Sequence, residues 1–142
     1  MPDWQDYADL AFYGALNQNL LGAQTTARGT FQSAMDRLFN GGGFVDKAYD
    51  PSVGYLTYKV GLALHVGLTL GMLSDSEAQT LGEIILAQQE TAILGKVGGF
   101  YTHYGQPGPR VADVNTETTA LALWGLYNLA FPYRLYLPMV RR

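Results

Sequence analysis

Gly42-Gly43-Phe44 and Gly98-Gly99-Phe100 stand about 56 residues apart, and a matching run follows each of them. After the first comes Thr57-Tyr58-Lys59-Val60-Gly61-Leu62-Ala63-Leu64; after the second comes Thr116-Glu117-Thr118-Thr119-Ala120-Leu121-Ala122-Leu123. A unit that recurs at a fixed period is the mark of a helical array. The glycines end one helix, and the Leu-Ala-Leu core lies in the next. Leu10-Ala11-Phe12 is a looser third copy, which makes the first, third and fifth helices equivalent. The reading is an all-α fold of stacked α-helical hairpins, five to six helices in one domain over 1–142. Its repeat units run over about 1–54, 55–112 and 113–142.

Working outward, Tyr7 to Leu21 carries Leu10, Ala11, Tyr13, Gly14, Leu16, Leu20 and Leu21 at helical spacing, with Asp3 placed to cap the start. Thr25 to Phe39 puts Ala27, Phe31, Ala34, Met35 and Leu38 on one face and stops at Asn40-Gly41-Gly42-Gly43. A third helix is predicted from about Tyr55 to Met72. Ser74 followed three residues later by Glu77 is a capping box, predicting a fourth helix to about Ile93. A fifth starts near Asp113 and ends before Pro132. Gly14, Gly61, Gly67, Ala120 and Gly125 would let neighbouring helices approach closely.

Composition narrows the possible functions. The chain has 142 residues, 48% of them hydrophobic and only 15% charged. That is too apolar for disorder and poor in charge for an isolated monomer, so part of the surface is expected to meet a partner, most simply a second copy in a dimer. A net charge of -3 without a Lys/Arg run leaves no electropositive stripe for nucleic acid. Cysteine is absent, which removes disulfides, thiolate metal sites and a cysteine nucleophile. Val60 to Leu73 is the longest apolar stretch, and it falls short of the roughly 20 residues a membrane span needs; it reads as a buried helix. Met1-Pro2-Asp3-Trp4 opens without the features of a signal peptide, so secretion would apply only to a truncated form.

Gln88-Gln89, Gly98-Gly99-Phe100 and Asp113 through Leu123, with Gly42-Gly43-Phe44 to Leu64 as a weaker copy, resemble the (α/α) toroids shared by six-hairpin glycosidases, terpene cyclases and protein prenyltransferases. The resemblance covers about two thirds of the chain. It implies that alternate helices line a cavity and that the preceding loops form its mouth. It also implies about twelve helices for a complete ring, so that this chain is a fragment or a short form that closes its ring by oligomerising. Zinc-dependent prenyltransferases and thioester domains require a cysteine, and class II terpene cyclases an Asp-x-Asp-Asp motif; neither occurs here. The carbohydrate-active branch remains.

The candidate chemistry lies around the second loop. Asp113 and Glu117, four apart, share a face if both are helical, and paired carboxylates suit general acid/base attack on a glycosidic bond. Alternatively Asp113 is an N-cap. Tyr101, His103, Tyr104 and Asn115 would bind a sugar, or the tyrosines simply cover the hairpin end. In the first loop Tyr49 and Asp50 hold the corresponding place, with Tyr58 and Trp124 on the inner helices; Asp50 before Pro51 is otherwise a turn residue. Asp46-Lys47 reads as a solvated pair. His65, the repeat equivalent of Trp124, reads as a buried neutral histidine. Asp46, Asp50 and Asn115 do not have EF-hand spacing, so no metal is expected, and no cofactor motif occurs. Two functions stay open: a carbohydrate-binding or assembly module, and a glycoside hydrolase or polysaccharide lyase working through Glu117 and Asp113, active only as an oligomer or within a longer chain.

Overall fold

A computed structural model describes residues 3–92, 97–105 and 113–130. The fold is all-α. Five helices follow one another: α1 (Ala8–Leu20), α2 (Gln24–Leu38), α3 (Thr57–Leu70), α4 (Asp75–Leu86) and α5 (Thr116–Ala130). A 3-10 turn at Trp4–Asp6 precedes them, and β1 (Tyr55–Leu56) pairs antiparallel with β2 (His103–Tyr104).

Helix α3 is the hub, packing against the other four. Its sequence explains why: Val60 through Gly67 is buried without interruption. One of its glycines, Gly61, and one of α5, Gly125, act through the side chain they lack. A Cβ on Gly61 would lie 2.7 Å from the Leu121 carbonyl oxygen, and one on Gly125 would lie 2.6 Å from the Gly61 carbonyl oxygen. Helices α3 and α5 therefore touch backbone to backbone, as the small residues predicted. Gly71, at φ 62, ends α3 in the left-handed conformation that glycine adopts without penalty. One hydrophobic cluster draws on all five helices, with Phe12, Phe31, Leu62, Leu64, Leu81 and Ile85 fully buried. Phe12 packs against Phe31 and Phe44 at 5.5 and 5.2 Å between ring centroids. Each such ring contributes about 1.5–3 kcal/mol through burial alone.

The helix ends differ from the sequence reading where a tertiary partner intervenes. Ser74 and Glu77 form the predicted capping box, each side chain bonding the other's backbone N–H. Asp3 does not cap α1. Its carboxylate accepts from Lys47, and the first N–H of α1, on Ala8, donates instead to Asp46 at 2.8 Å. Helix α4 stops at Leu86 rather than near Ile93, because Gln89 is drawn into a bridge with Phe100 and the Glu90 N–H donates to the Gly99 carbonyl. Ile93 itself lies outside the described residues. Helix α5 starts at Thr116 because Asn115, not Asp113, is its cap: the Asn115 Oδ1 accepts from the Thr118 N–H at 2.7 Å. Among the described residues no helix is long and apolar enough to cross a membrane.

The two glycine loops are structural equivalents. Phe39 bridges Phe44 in the first, and Gln89 bridges Phe100 in the second. In each, the residue after the phenylalanine donates its N–H back to the end of the preceding helix, Val45 to Leu38 and Tyr101 to Gln88. Both loops then run beneath the N-terminus of the preceding odd-numbered helix. Lys47 N–H donates to the Asp6 carbonyl ahead of α1, and the Thr102 carbonyl accepts from the Thr57 N–H at the start of α3.

Candidate functional site

The equivalence of α1, α3 and α5 locates a common face. Aligning Leu10-Ala11-Phe12, Leu62-Ala63-Leu64 and Leu121-Ala122-Leu123 puts Tyr13, His65 and Trp124 at one repeat position, and Asn17, Thr69 and Asn128 one turn further on. Helices α3 and α5 run the same way, since Gly61 meets Leu121 and Gly125 while His65 meets Trp124 and Asn128. The His65 and Trp124 rings therefore meet on one side, and the alignment assigns Tyr13 of α1 to the same repeat position.

Their packing is specific. The Trp124 ring stacks on His65 at 3.9 Å between centroids, with 26° between the planes. His65 is buried beneath it, while Trp124 remains 48% exposed and Tyr13 45%. The Asn128 amide nitrogen donates both to His65 Nδ1 at 2.5 Å and to the Trp124 carbonyl at 2.9 Å. An acceptor at Nδ1 places the imidazole proton on Nε2. The histidine is thus a floor under the indole, and the indole's outer face stays open to solvent.

Carboxylates and a tyrosine surround the helix N-termini on this side. The Tyr58 hydroxyl donates to Asp9 Oδ2 at 2.9 Å. Burial, the Asp9 hydrogen bond, and the charges of Asp9, Asp46 and Glu117 raise its pKa well above that of an ordinary phenol. Burial, then the charges of Glu117 and Asp9, raises Tyr13 in the same direction. Asp9, Tyr13, Tyr58 and Glu117 therefore share one electrostatic neighbourhood, although they come from three helices. Beneath them lies an ion pair: Lys59 Nζ donates to Asp46 Oδ2 at 2.5 Å, with the two side chains 1% and 0% exposed. Asp46 also accepts from the Ala8 and Ala48 N–H groups. The expectation of a solvated Asp46-Lys47 pair is corrected here. Asp46 is buried against Lys59, whereas Lys47 turns outward to Asp3 and Asp6.

The residues singled out from the sequence fall into three groups. Glu117, Tyr58 and Trp124 belong to the face just described. Tyr49 and Tyr104 flank Tyr55 in a row at the loop end, each 5.3 Å from it between centroids; the Tyr104 hydroxyl donates to the Gly42 carbonyl, and burial raises its pKa. His103 adjoins this row in β2, with Thr102 Oγ1 at 2.8 Å from its Nδ1; burial lowers its pKa. The third group supports the backbone. Tyr101 is buried and its hydroxyl donates to Glu90. Asn115 caps α5. Asp50 holds its own turn by accepting from the Ser52 N–H and hydroxyl, which lower its pKa. Asp113 precedes α5 and is exposed, its carbonyl accepting from the Thr102 N–H, so it does not share a helical face with Glu117.

Sequence reading missed Asp9, Tyr13 and Asn128. Extending the Leu-Ala core alignment by one position finds Tyr13 and by five finds Asn128; nothing in the sequence announces Asp9. Among the described residues no group of three or more His, Cys, Asp or Glu side chains is placed to hold a metal ion. A cavity of about 20 Å3, room for one water, is lined by Gln5, Ala11, Thr30, Ser33 and Ala34 away from this face. Compared with known protein families, with curated proteins and with solved structures, the chain matches none.

Proposed function

We propose that the chain is a carbohydrate-binding module whose ligand lies across α1, α3 and α5, on the open faces of Trp124 and Tyr13. The observation that carries this is the aromatic position shared by Tyr13, His65 and Trp124, with an indole half-exposed yet backed by His65, which Asn128 holds in turn. A flat apolar ring held rigidly in solvent binds at little entropic cost and suits the apolar face of a sugar ring. Asp9, Glu117 and Asn128 supply hydrogen-bond groups for the hydroxyls at its edge. The hairpin order, with α1, α3 and α5 side by side and α2 and α4 returning between them, supports the reading of the chain as part of an (α/α) toroid.

The catalytic alternative, a glycoside hydrolase or polysaccharide lyase working through Glu117 and Asp113, gains less support. Asp113 sits outside the helix on which Glu117 lies, and both are exposed rather than enclosed in a common site. Tyr58, held protonated by burial and by Asp9, is a poor proton acceptor.

The two tryptophans, Trp4 and Trp124, make the test direct. In a Trp4→Phe background, titration with neutral oligosaccharides is expected to change the Trp124 fluorescence saturably, and Trp124→Ala is expected to abolish binding measured by calorimetry. Binding that survives Trp124→Ala, or a panel of neutral glycans that leaves the fluorescence unchanged, overturns the proposal.

A further inference from the structure

The first glycine loop carries a chemistry that the second lacks. Of the five asparagines in the chain only Asn40 is followed by glycine, and the place of Gly41 in the second loop is taken by Val97. A side-chain amide next to glycine is open to attack by the following backbone nitrogen, because glycine has no Cβ to hinder the approach or to restrict the backbone.

The turn around Asn40 is arranged for that attack. Phe39 bridges Phe44, and the Asn40 N–H donates to the Gly43 carbonyl at 3.1 Å, so the segment closes on itself. Within it the Asn40 Oδ1 accepts from the Gly42 and Gly43 N–H groups, each at 3.1 Å, and Asn40 Nδ2 donates to the Tyr55 hydroxyl at 2.8 Å. Tyr55 is held in turn, its ring packed against Gly43 and Gly105 where neither could carry a Cβ, with Tyr49 and Tyr104 on either side. Gly41 is left open: at φ 91 it has nothing within 4 Å of where a Cβ would lie, and its N–H donates to no group among the described residues. Asn40 is exposed, so solvent base and water reach it.

We infer that Asn40 and Gly41 form a self-modification site, at which the chain converts Asn40 to aspartate and isoaspartate through a cyclic imide. The Gly41 nitrogen gives its proton to hydroxide and bonds to Asn40 Cγ, and the charge that develops on Oδ1 is held by the two N–H groups already aimed at it. These bonds steady the resting amide, but they strengthen as the oxygen becomes an anion; one such donor is worth a factor of about 10²–10³ in enzymes. When the carbonyl re-forms, the Cγ–Nδ2 bond breaks. Nδ2 takes the Tyr55 hydroxyl proton and leaves as ammonia, and Tyr55 recovers a proton from water. Water then opens the imide, giving aspartate at Cγ or isoaspartate at the main-chain carbonyl. Either product replaces the amide donor to Tyr55 with a carboxylate, and isoaspartate also adds a methylene to the backbone inside the closed turn.

Peptide mapping by mass spectrometry, after incubation of the whole chain at mildly alkaline pH, tests this. Asn40 is expected to take on the mass of the acid, at least as fast as in the urea-unfolded chain, while Asn17, Asn19, Asn115 and Asn128 stay amides. Tyr55→Phe, which keeps the ring, is expected to slow conversion about tenfold or more in the folded chain and not at all in urea, as loss of a general acid would. Circular dichroism checks that the variant keeps its helices. An Asn40 that stays an amide in the folded chain after the unfolded chain has converted would overturn the site. Equal rates for the folded chain and folded Tyr55→Phe would overturn the part given to Tyr55.

Discussion

The two glycine loops hold the same backbone with different buried charge. Both bridge the end of one helix to a phenylalanine, and both bury a carboxylate. In the first loop that carboxylate is Asp46, and it meets a cation, Lys59, with the Ala8 and Ala48 N–H groups as further donors. In the second it is Glu90, which among the described residues accepts from the Tyr101 hydroxyl and the Ala92 N–H. The backbone pattern is the common element; the buried pair is where the loops diverge. The consequence lies in what each loop loses when one partner is removed.

Removing Asp46 strands an ammonium group that is 1% exposed, a loss of about 3–5 kcal/mol for a broken buried pair. Against a total stability of about 5–15 kcal/mol this is a large fraction, and Asp46→Ala is expected to give the largest fall in melting temperature of the changes considered, as seen by circular dichroism. Replacing both partners, Asp46→Leu with Lys59→Met, is expected to cost much less than the sum of the single changes, because no unpaired charge remains. Additive losses would show that the pair is not coupled as described.

Tyr101→Phe takes only one donor from Glu90 and leaves the Ala92 N–H in place. A loss of about 1–3 kcal/mol in denaturant melts is expected, smaller than for Asp46→Ala. Equal losses at the two loops would erase the distinction between them.

The second loop also carries the titratable His103. Burial makes the folded chain bind this proton less readily than the unfolded chain, so the unfolded state takes up more protons as pH falls through the ordinary histidine value of 6.5. Melting temperature is expected to be flat above that value and to drop modestly below it, and His103→Gln is expected to flatten the drop. A further fall near the ordinary carboxylate values, 4.5 for Glu77 and 3.8 for Asp3, Asp6 and Asp50, is expected in both proteins, because all four are held below those values. A drop that persists unchanged in His103→Gln assigns it elsewhere.

The smallest effect is at Thr57, where the second loop passes beneath α3. Its Oγ1 is buried with no hydrogen-bond partner among the described residues. Thr57→Val is therefore expected to leave the melting temperature unchanged or slightly raised. A loss above about 1 kcal/mol would mean that the hydroxyl does have a partner.

What was legible in the sequence was local or periodic. The Ser74 and Glu77 box, the glycine stops, and the Leu-Ala cores are decided by neighbours within a turn or by the repeat, and the helices formed where these signals placed them. The errors share one cause. Asp3, Asp46 and the start of α1 were read from adjacent residues, but long-range partners decide them: Asp46 is recruited by Lys59 and by the N-terminus of α1, 38 residues back, which frees Asp3 for Lys47. The candidate site was legible where it follows the repeat, at Trp124, Tyr58 and Glu117. Asp9 was invisible because its partner, Tyr58, lies 49 residues away.

The most direct test of the account is a two-dimensional amide and indole NMR titration of the whole chain with a neutral oligosaccharide that binds it. Shifts are expected to centre on the Trp124 indole and on Asp9, Tyr13, His65, Glu117 and Asn128, with Tyr49, Tyr55 and Tyr104 unmoved. Shifts centred on those three loop tyrosines, with the Trp124 indole unmoved, would contradict it.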